Sequence, residues 1–389
     1  MHKADKDTIK KNNKQVLLHT LKNEELSRTE LSEKTGLSGS TVGTLVAELI
    51  AQGFVFEKSV AKSSGGRKPV ILSICPTCAL AMLIQILQNK VVVILMDLKM
   101  EVVCQTSIRF FEATQEALTQ SLREGIRQTL ENSPYPADTI AGIGISIPGM
   151  IDYKEQYVIY SARMHLKDFD IRGLVAEQLS RPLYLFRDTD AFMLGEAHNT
   201  NLKQQDSCIY ILVDNGVGFS FMRRGEIVQL NRSGLELGHI PFDKDGPLCS
   251  CGNYGCLETC ISAAAARREL VKRGIEPEEA QKLTLTDVVQ RANGGDADCQ
   301  AVLESQYMLL GRAAALAVNL FAPESVLIGG PLCLGSIEKE AFVQQGFSKN
   351  VLNTFRNTRL VFTTTDDRAC FQGMAGEIFE QEFFQADLF

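Results

Sequence analysis

His239, Cys249, Cys251 and Cys256 fall within the eighteen-residue stretch HIPFDKDGPLCSCGNYGC. No other feature restricts the chain so tightly, because three thiols and an imidazole at this spacing must fold back on one another to share an ion. Zinc binds such a set tetrahedrally, and four protein ligands leave no open position for the water that a hydrolytic zinc ion carries. The composition therefore predicts a structural Zn²⁺, a clasp and not a catalyst. Gly246, Gly252 and Gly255 permit the tight turns of a small knot. The competing reading is four unconnected buried residues. Cys260 is expected to be a helix-face core residue, and the Cys75/Cys78 pair an incidental spacing in a linker.

At 389 residues the chain is too long for one ordinary core. Its charge is uneven: residues 1–70 carry 12 Lys/Arg against 8 Asp/Glu, and the remainder 28 against 39. A basic head on an acidic body suits a polyanion only at the head. No apolar run is long enough to span a bilayer, and MHKADKDTIKKNNK lacks the apolar stretch of a secretory signal behind it. We expect a cytoplasmic protein without a membrane partner, its eleven cysteines reduced.

Residues 1–75 read as a winged helix-turn-helix domain. Ser27 and Glu30 have capping-box spacing, and that helix stops at Gly36. Ser38 caps a second helix whose Val42, Leu45, Val46 and Leu49 share one face, ending at Gly53 before the strand-like FVFEK. The N-terminal end of that second helix would enter a major groove. Ser38, Ser40, Thr41 and Thr44 are short enough to approach base edges or phosphates, and Arg28 joins them as a candidate contact to double-stranded operator DNA. SSGGRKP forms the tip of a wing, with Arg67 and Lys68 directed at phosphate or the minor groove. A helical protein-interaction module with a basic loop is the alternative.

The body repeats itself. ALAMLIQIL, KVVVILMDL and EVVCQTSIRF form a meander, followed by a helical stretch and the buried strand TIAGIGISIPG. After residue 206 a hairpin, SCIYILVDNGVGFSFMRRGEIV, precedes helices over 259–320 and the buried SVLIGG. Two related lobes, 80–200 and 201–389, with a cleft between them are predicted.

SRTELSEKTGLSGSTV with GGRKP, and GLELGH followed by CSCGNYGCLE, resemble the ROK family of repressors, open reading frames and sugar kinases; the resemblance covers nearly the whole chain. It implies an α/β protein: an N-terminal winged helix-turn-helix, then a duplicated actin-like, ribonuclease-H-like ATPase fold with a structural zinc site. It implies that His239 binds zinc through one ring nitrogen while the ring reaches a sugar hydroxyl, and that Glu236 and Glu258 accept from other hydroxyls. YLFRDTDAFMLGE is similar to the family's asparagine-aspartate-alanine-asparagine element and puts Asp188 where the kinases keep their base. A carboxylate there suits proton removal and simple retention of a hydroxyl equally.

Departures from the family's kinases point away from phosphoryl transfer. Their aspartate-x-glycine-glycine-threonine loop aligns with Gln85, Ile86, Leu87, Gln88 and Asn89, and Asp214 replaces a glycine in DNGVG, although Gly216, Gly218, Gly329 and Gly330 remain. Arg187 and Arg163 stand where the family has asparagines. Either they bind an acidic or phosphorylated sugar bidentately, or they pair internally with Asp188, Asp190 or Asp168 and fill a pocket that no longer binds sugar. The reading is a sugar-responsive DNA-binding regulator, a repressor of carbohydrate genes, with no catalytic residue. The family implies a homodimer or homotetramer. An active ATP-dependent sugar kinase is the alternative, and a regulator answering to a protein partner a third. The C-terminal AGEIFEQEFFQADLF is an amphipathic helix, read as a signal carrier packed on the head or as ordinary core.

Overall fold

A computed structural model describes residues 6–58, 70–112, 114–230, 233–336, 338–364 and 366–386. The head begins with α1 (Lys6–Asn23), β1 (Leu26–Ser27), α2 (Arg28–Thr35) and α3 (Gly39–Ala51), and ends with β2 (Val55–Lys58) and β3 (Ile71–Ile74). Ser27 and Glu30 complete a reciprocal capping box, and Gly36 ends α2 in the left-handed region at φ 70°. Ser38 caps α3 by accepting from Thr41 N. Leu17, Leu31, Val42, Val46 and Leu49 are fully buried between the three helices, and the strands form a small sheet ordered β1-β3-β2. Arg67 and Lys68 lie outside the described residues.

The first lobe contains β4 (Leu80–Leu87), β5 (Lys90–Asp97), β6 (Val102–Arg109), α4 (Gln115–Asn132), β7 (Ile140–Ile147), β8 (Met150–Asp152), β9 (Tyr157–Ser161), β10 (Leu166–Phe169), α5 (Ile171–Ala176), β11 (Leu183–Arg187) and α6 (Asp188–Asn199). The second contains β12 (Ser207–Val213), β13 (Val217–Arg223), β14 (Glu226–Ile227), α7 (Leu257–Cys260), α8 (Ala263–Lys272), α9 (Pro277–Lys282), α10 (Leu285–Asn293), α11 (Ala297–Phe321), β15 (Ser325–Gly329), α12 (Lys339–Ser348), β16 (Arg359–Phe362) and α13 (Asp367–Phe379). The large sheets are ordered β11-β7-β4-β5-β6 and β14-β13-β12-β15-β16. In each, the first strand lies at the centre, with an antiparallel meander on one side and two parallel strands on the other. The duplication predicted from the sequence is thus a duplication of topology. β4, LAMLIQIL, is buried almost throughout, as a central strand covered on both faces should be. The span 259–320 takes in the end of α7 and the helices α8 to α11, of which only α11 is long, because Gly274, Pro277 and Gly294 interrupt it.

The C-terminal helix crosses back. α13 packs on α6, β4 and β7 of the first lobe, and its continuation Glu380–Phe384, a π turn, reaches the head. Phe383 meets Phe54 with ring centroids 5.8 Å apart, Phe384 meets His19 at 5.9 Å, and Lys22 Nζ is 2.6 Å from Glu380 Oε2. Head, helix and first lobe therefore share one continuous core. No described helix is long and apolar enough to cross a membrane.

Candidate ligand cleft and metal centre

The cleft lies where both lobes present strand ends and helix starts. Its walls are the β7–β8 turn at Pro148–Met150, the end of β9 and the residues after it at Tyr160–Arg163, the β11–α6 junction at Arg187, Asp188 and Thr189, the β13 start at Val217 and Gly218, and Glu236, His239, Ser250, Cys251 and Glu258. It encloses about 140 Å³, well below the roughly 300–1,000 Å³ of sites for drug-sized ligands. A ligand of monosaccharide scale is the right order.

His239 ends a 3₁₀ turn, Leu237–His239, that follows Glu236 directly. Its Nδ1 lies 3.5 Å from Cys249 Sγ, and Cys251 Sγ lies 3.6 Å from Cys256 Sγ. All four donor atoms fall within 4.8 Å of one another. A tetrahedral ion with metal–sulfur bonds of ~2.3 Å needs sulfurs separated by roughly 3.8 Å, so the donors fit one ion in number, chemistry and spacing. Backbone hydrogen bonds hold the loop in register: Cys249 N donates to Asn253 O at 2.7 Å, Phe242 N to Gly255 O at 2.7 Å, and Leu257 N to Ile240 O at 2.9 Å. With Nδ1 turned to the cysteines, Nε2 is left for the cleft. Cys260 is half-buried on α7 and outside the set.

The carboxylates come from three different elements. Asp188 Oδ1 accepts from Thr189 N at 2.7 Å and Thr189 Oγ1 at 3.2 Å, which fixes its rotamer at the start of α6. Glu258 Oε2 accepts from Val217 N at 3.3 Å. Glu236 Oε1 accepts from Arg187 Nη1 at 3.3 Å. Burial pushes the Glu236 carboxyl above its usual range, while Arg187 and His239 pull it down.

The two arginines separate. Arg187 is only 4 % exposed, and all five of its N–H groups are used inside the protein. Nε meets Tyr153 Oη and Asp190 Oδ2 at 3.0 Å each, Nη2 meets Asp190 Oδ1 and Phe219 O at 2.9 Å each, and Nη1 meets Leu235 O at 3.0 Å as well as Glu236. Of the two alternatives open to it, Arg187 takes internal pairing, with Asp190. Removing one member of so buried a pair typically costs ~3–5 kcal/mol, because the other charge is left uncompensated. Arg163 is half-buried at the cleft wall, and among the described residues no hydrogen bond or salt bridge engages it. Tyr153 and Ser220, which donates to Asp190 Oδ1 at 2.6 Å, belong to this network without any signal in MIDYKEQ or GFSFM that would have marked them.

The glycines expected at a nucleotide are occupied by the protein's own atoms. A Cβ on Gly218 would lie 1.9 Å from Thr189 Oγ1, one on Gly216 2.2 Å from both Arg163 Nη2 and Glu258 Oε2, and one on Gly329 2.0 Å from Tyr210 Oη. Gln85, in place of the kinase carboxylate, is buried and donates to Asp367 Oδ1 at 3.4 Å. Burial pushes Asp214 above the usual carboxylate range against the pull of Arg163, and Asp188 and Asp367 add to the rise.

In the head, Ser38 and Ser40 are exposed and linked at 3.0 Å, Thr41 is half-buried beside Ser38 at 2.8 Å, and Thr44 is exposed with its hydroxyl on Ser40 O at 3.1 Å. Arg28, the first residue of α2, pairs with Glu57 at 2.7 Å on the exposed surface.

Comparison with known proteins gives the same division. The ROK family profile matches residues 82–380 and the MarR family profile residues 9–63. The xylose repressor of Bacillus subtilis (strain 168) is 30% identical over 347 residues, covering 87% of this chain and 88% of that one. A ROK family transcriptional regulator, a homologue of the Escherichia coli MLC protein, superposes with a TM-score of 0.77 over 97% of this chain and 100% of its own, at 24% identity. The ROK family glucokinase of Streptomyces griseus, solved with glucose and AMPPNP, superposes with a TM-score of 0.64 at 19% identity, covering 77% of this chain and 99% of its own.

Proposed function

The chain belongs to the ROK family, and on that premise we propose that it is a sugar-responsive transcriptional repressor whose degenerate kinase cleft senses a carbohydrate and performs no chemistry. One observation carries the reading. A MarR-type head with an exposed polar end on α3 is joined to a cleft where Asp188, Glu236, His239 and Glu258 converge, while Gln85 and Asp214 stand where the family's kinases have an aspartate and a glycine.

The metal in this proposal is zinc, held by His239, Cys249, Cys251 and Cys256 with no coordination position left open. It supplies no chemistry; it fixes the imidazole so that Nε2 faces a sugar hydroxyl, as a partner on the second nitrogen generally orients a histidine ring. The three carboxylates accept from other hydroxyls. With Arg187 engaged elsewhere, an acidic or phosphorylated effector would have Arg163 alone as its cation and three lining carboxylates against it. The cleft therefore favours an uncharged monosaccharide. Calorimetry with D-xylose, D-glucose, their phosphates and uronates checks this: neutral sugars are expected to bind, and tight binding confined to the charged ones would restore the acidic effector. A coupled assay for ATP consumption over the same sugars is expected to read zero; steady turnover would make the chain a kinase.

Ser38, Ser40, Thr41, Thr44 and Arg28 are the proposed contacts to operator DNA, and Arg67 and Lys68 of the wing complete the set. Thr44→Glu puts a carboxylate on an exposed helix face, so folding should be unaffected, while DNA affinity in a gel-shift with the upstream duplex falls by about 100-fold, the sum of a lost base contact and repulsion from phosphate. Unchanged affinity would remove α3 from the interface. Two-fold operators pair with protein dimers, and a homodimer or homotetramer is part of the proposal. The sugar acts by population shift, favouring a cleft state in which the heads no longer match their half-sites.

A further inference from the structure

We propose that Arg187 is the positioning residue of the effector site: it lines the base of the cleft with its N–H groups already engaged by the protein, sets Glu236 and ties the two lobes together. The inference deepens the sugar-sensing reading and rests on it for the identity of the cleft.

The geometry points to this role because of where the partners come from. Arg187, Asp190 and Tyr153 belong to the first lobe, at the β11–α6 junction and after β8. Phe219, Ser220, Leu235 and Glu236 belong to the second. From one guanidinium, Nη2 reaches Phe219 O at 2.9 Å and Nη1 reaches Leu235 O at 3.0 Å and Glu236 Oε1 at 3.3 Å. Ser220 Oγ returns the connection, donating to Asp190 Oδ1 at 2.6 Å. Tyr153 donates to Asp190 Oδ2 and accepts from Arg187 Nε. Every polar atom in the set is matched, which is the condition under which a buried network specifies one arrangement.

Two further facts separate positioning from general stability. The backbone is shaped around the guanidinium: a Cβ on Gly234 would lie 1.9 Å from Arg187 Cζ, so the 234–239 turn that presents Glu236 and His239 is moulded directly onto it. And Arg187 adjoins Asp188, so one backbone step connects the lobe tie to the carboxylate at the opposite wall. A rotation of one lobe against the other cannot occur without breaking bonds at this one side chain. A flexible lysine could keep the charge but not the three-way fork.

The test uses the full-length, metal-loaded protein in two variants. Arg187→Lys keeps the charge and removes the fork. The double variant R187N/D190N removes both charges and restores the neutral asparagine pair that flanks the aspartate in the family's motif. The readouts are thermal melting, hydrogen exchange of residues 217–222 and 234–239 without sugar, and calorimetry with D-xylose and D-glucose. Both variants are expected to fold and to hold metal. In both, amides of the 234–239 turn lose protection, and affinity for whichever sugar the wild type binds falls by about 10- to 100-fold, the range seen when groups orienting a site's own ligands are changed. A double variant with wild-type protection and wild-type affinity would show Arg187 to be structural filler and overturn the proposal. So would a double variant that cannot fold, which would assign the pair to stability. If the wild type binds neither sugar, the sugar-sensing reading is what fails, and the exchange arm still decides on Arg187.

Discussion

Metal removal is expected to abolish ligand binding and to unfold the 239–258 loop while both lobes stay folded. The loop has almost no core of its own: Leu248 and Tyr254 are 61% and 65% exposed, and Cys251 is exposed. Of its buried members, Cys249 and Cys256 are themselves two of the four donors, and Leu257 anchors its far end in the second-lobe core. Three thiols converge within 4.8 Å of one another and of the imidazole, an arrangement that only the loop's own backbone hydrogen bonds oppose to fraying once the ion is gone. Structural zinc of this type contributes apparent binding energies of ~10–16 kcal/mol in small domains near neutral pH, and that energy is folding energy. Cys256→Ser should lower bound zinc from ~1 per chain to almost none and split calorimetric melting into a broad early step and a main transition. Sugar affinity should fall below detection, because His239 loses its fixed ring and Glu236 its neighbour. The main transition should survive, since the lobe cores around Ile209, Leu303 and Val326 and around Leu83, Ile94 and Met374 do not include the loop's donors apart from their edge. Atomic emission, calorimetry and sugar titration on the same preparation check the set. A metal-free protein that binds sugar as tightly as the loaded one would refute the clasp.

The parts legible in the sequence are those fixed by short-range chemistry. The capping box of Ser27 and Glu30, the αL stop at Gly36, the continuous apolar runs of β4 and β5, and the Cys249-Cys251-Cys256 spacing each declare themselves within a few residues. What could not be read depends on distance. Arg187 has one partner three residues away, but the others stand 32, 34, 48 and 49 positions along the chain, and no periodicity brings them together. The same holds for the glycines of DNGVG. A local reading makes them a phosphate loop, whereas in the fold they make room for Thr189, Arg163 and Glu258. The small sheet β10-β9-β8 hid for another reason: His165 and Asp168 hold positive φ of 50° each, a conformation residue type does not announce. The C-terminal amphipathic stretch could be placed on the head or in ordinary core, and its packing combines the two placements: α13 packs on α6 and its continuation meets the head at Phe54.

That last arrangement carries the second large prediction. Phe383→Ala is expected to leave sugar binding intact and to erase the effect of sugar on DNA affinity. α6 starts at Asp188 in the cleft, and α13 starts at Asp367, which holds Gln85. The two helices cross in backbone contact: a Cβ on Gly373 would lie 2.3 Å from Ala191 O, and one on Gly195 2.0 Å from Ala369 O. Helices packed this closely move together or not at all. The far end of the pair inserts Phe383 and Phe384 beside Phe54, His19 and Lys22 of the head, with Glu380 paired to Lys22. Phe383 is 2% exposed, so its truncation removes ~3–5 kcal/mol from a junction whose other ties are the Phe384 contacts with His19 and Lys22, the Gln15–Ala386 hydrogen bond and the Glu380 ion pairs of ~0–1 kcal/mol each. Coupling between sites typically amounts to ~1–3 kcal/mol, a 5- to 150-fold ratio of DNA affinities with and without effector. With the junction weakened by more than the whole coupling energy, that ratio should collapse to ~1. Anisotropy of labelled operator DNA, titrated with and without the sugar that calorimetry identifies, measures it directly. Gly373→Val should do the same from the other end, by prying α13 off α6 while Phe383 stays docked. If either variant keeps the wild-type ratio, the signal travels by another route. The seventy-odd residues of head would then answer to the cleft through the 3₁₀ turn Pro76–Cys78 that joins β3 to β4, the covalent connection between them.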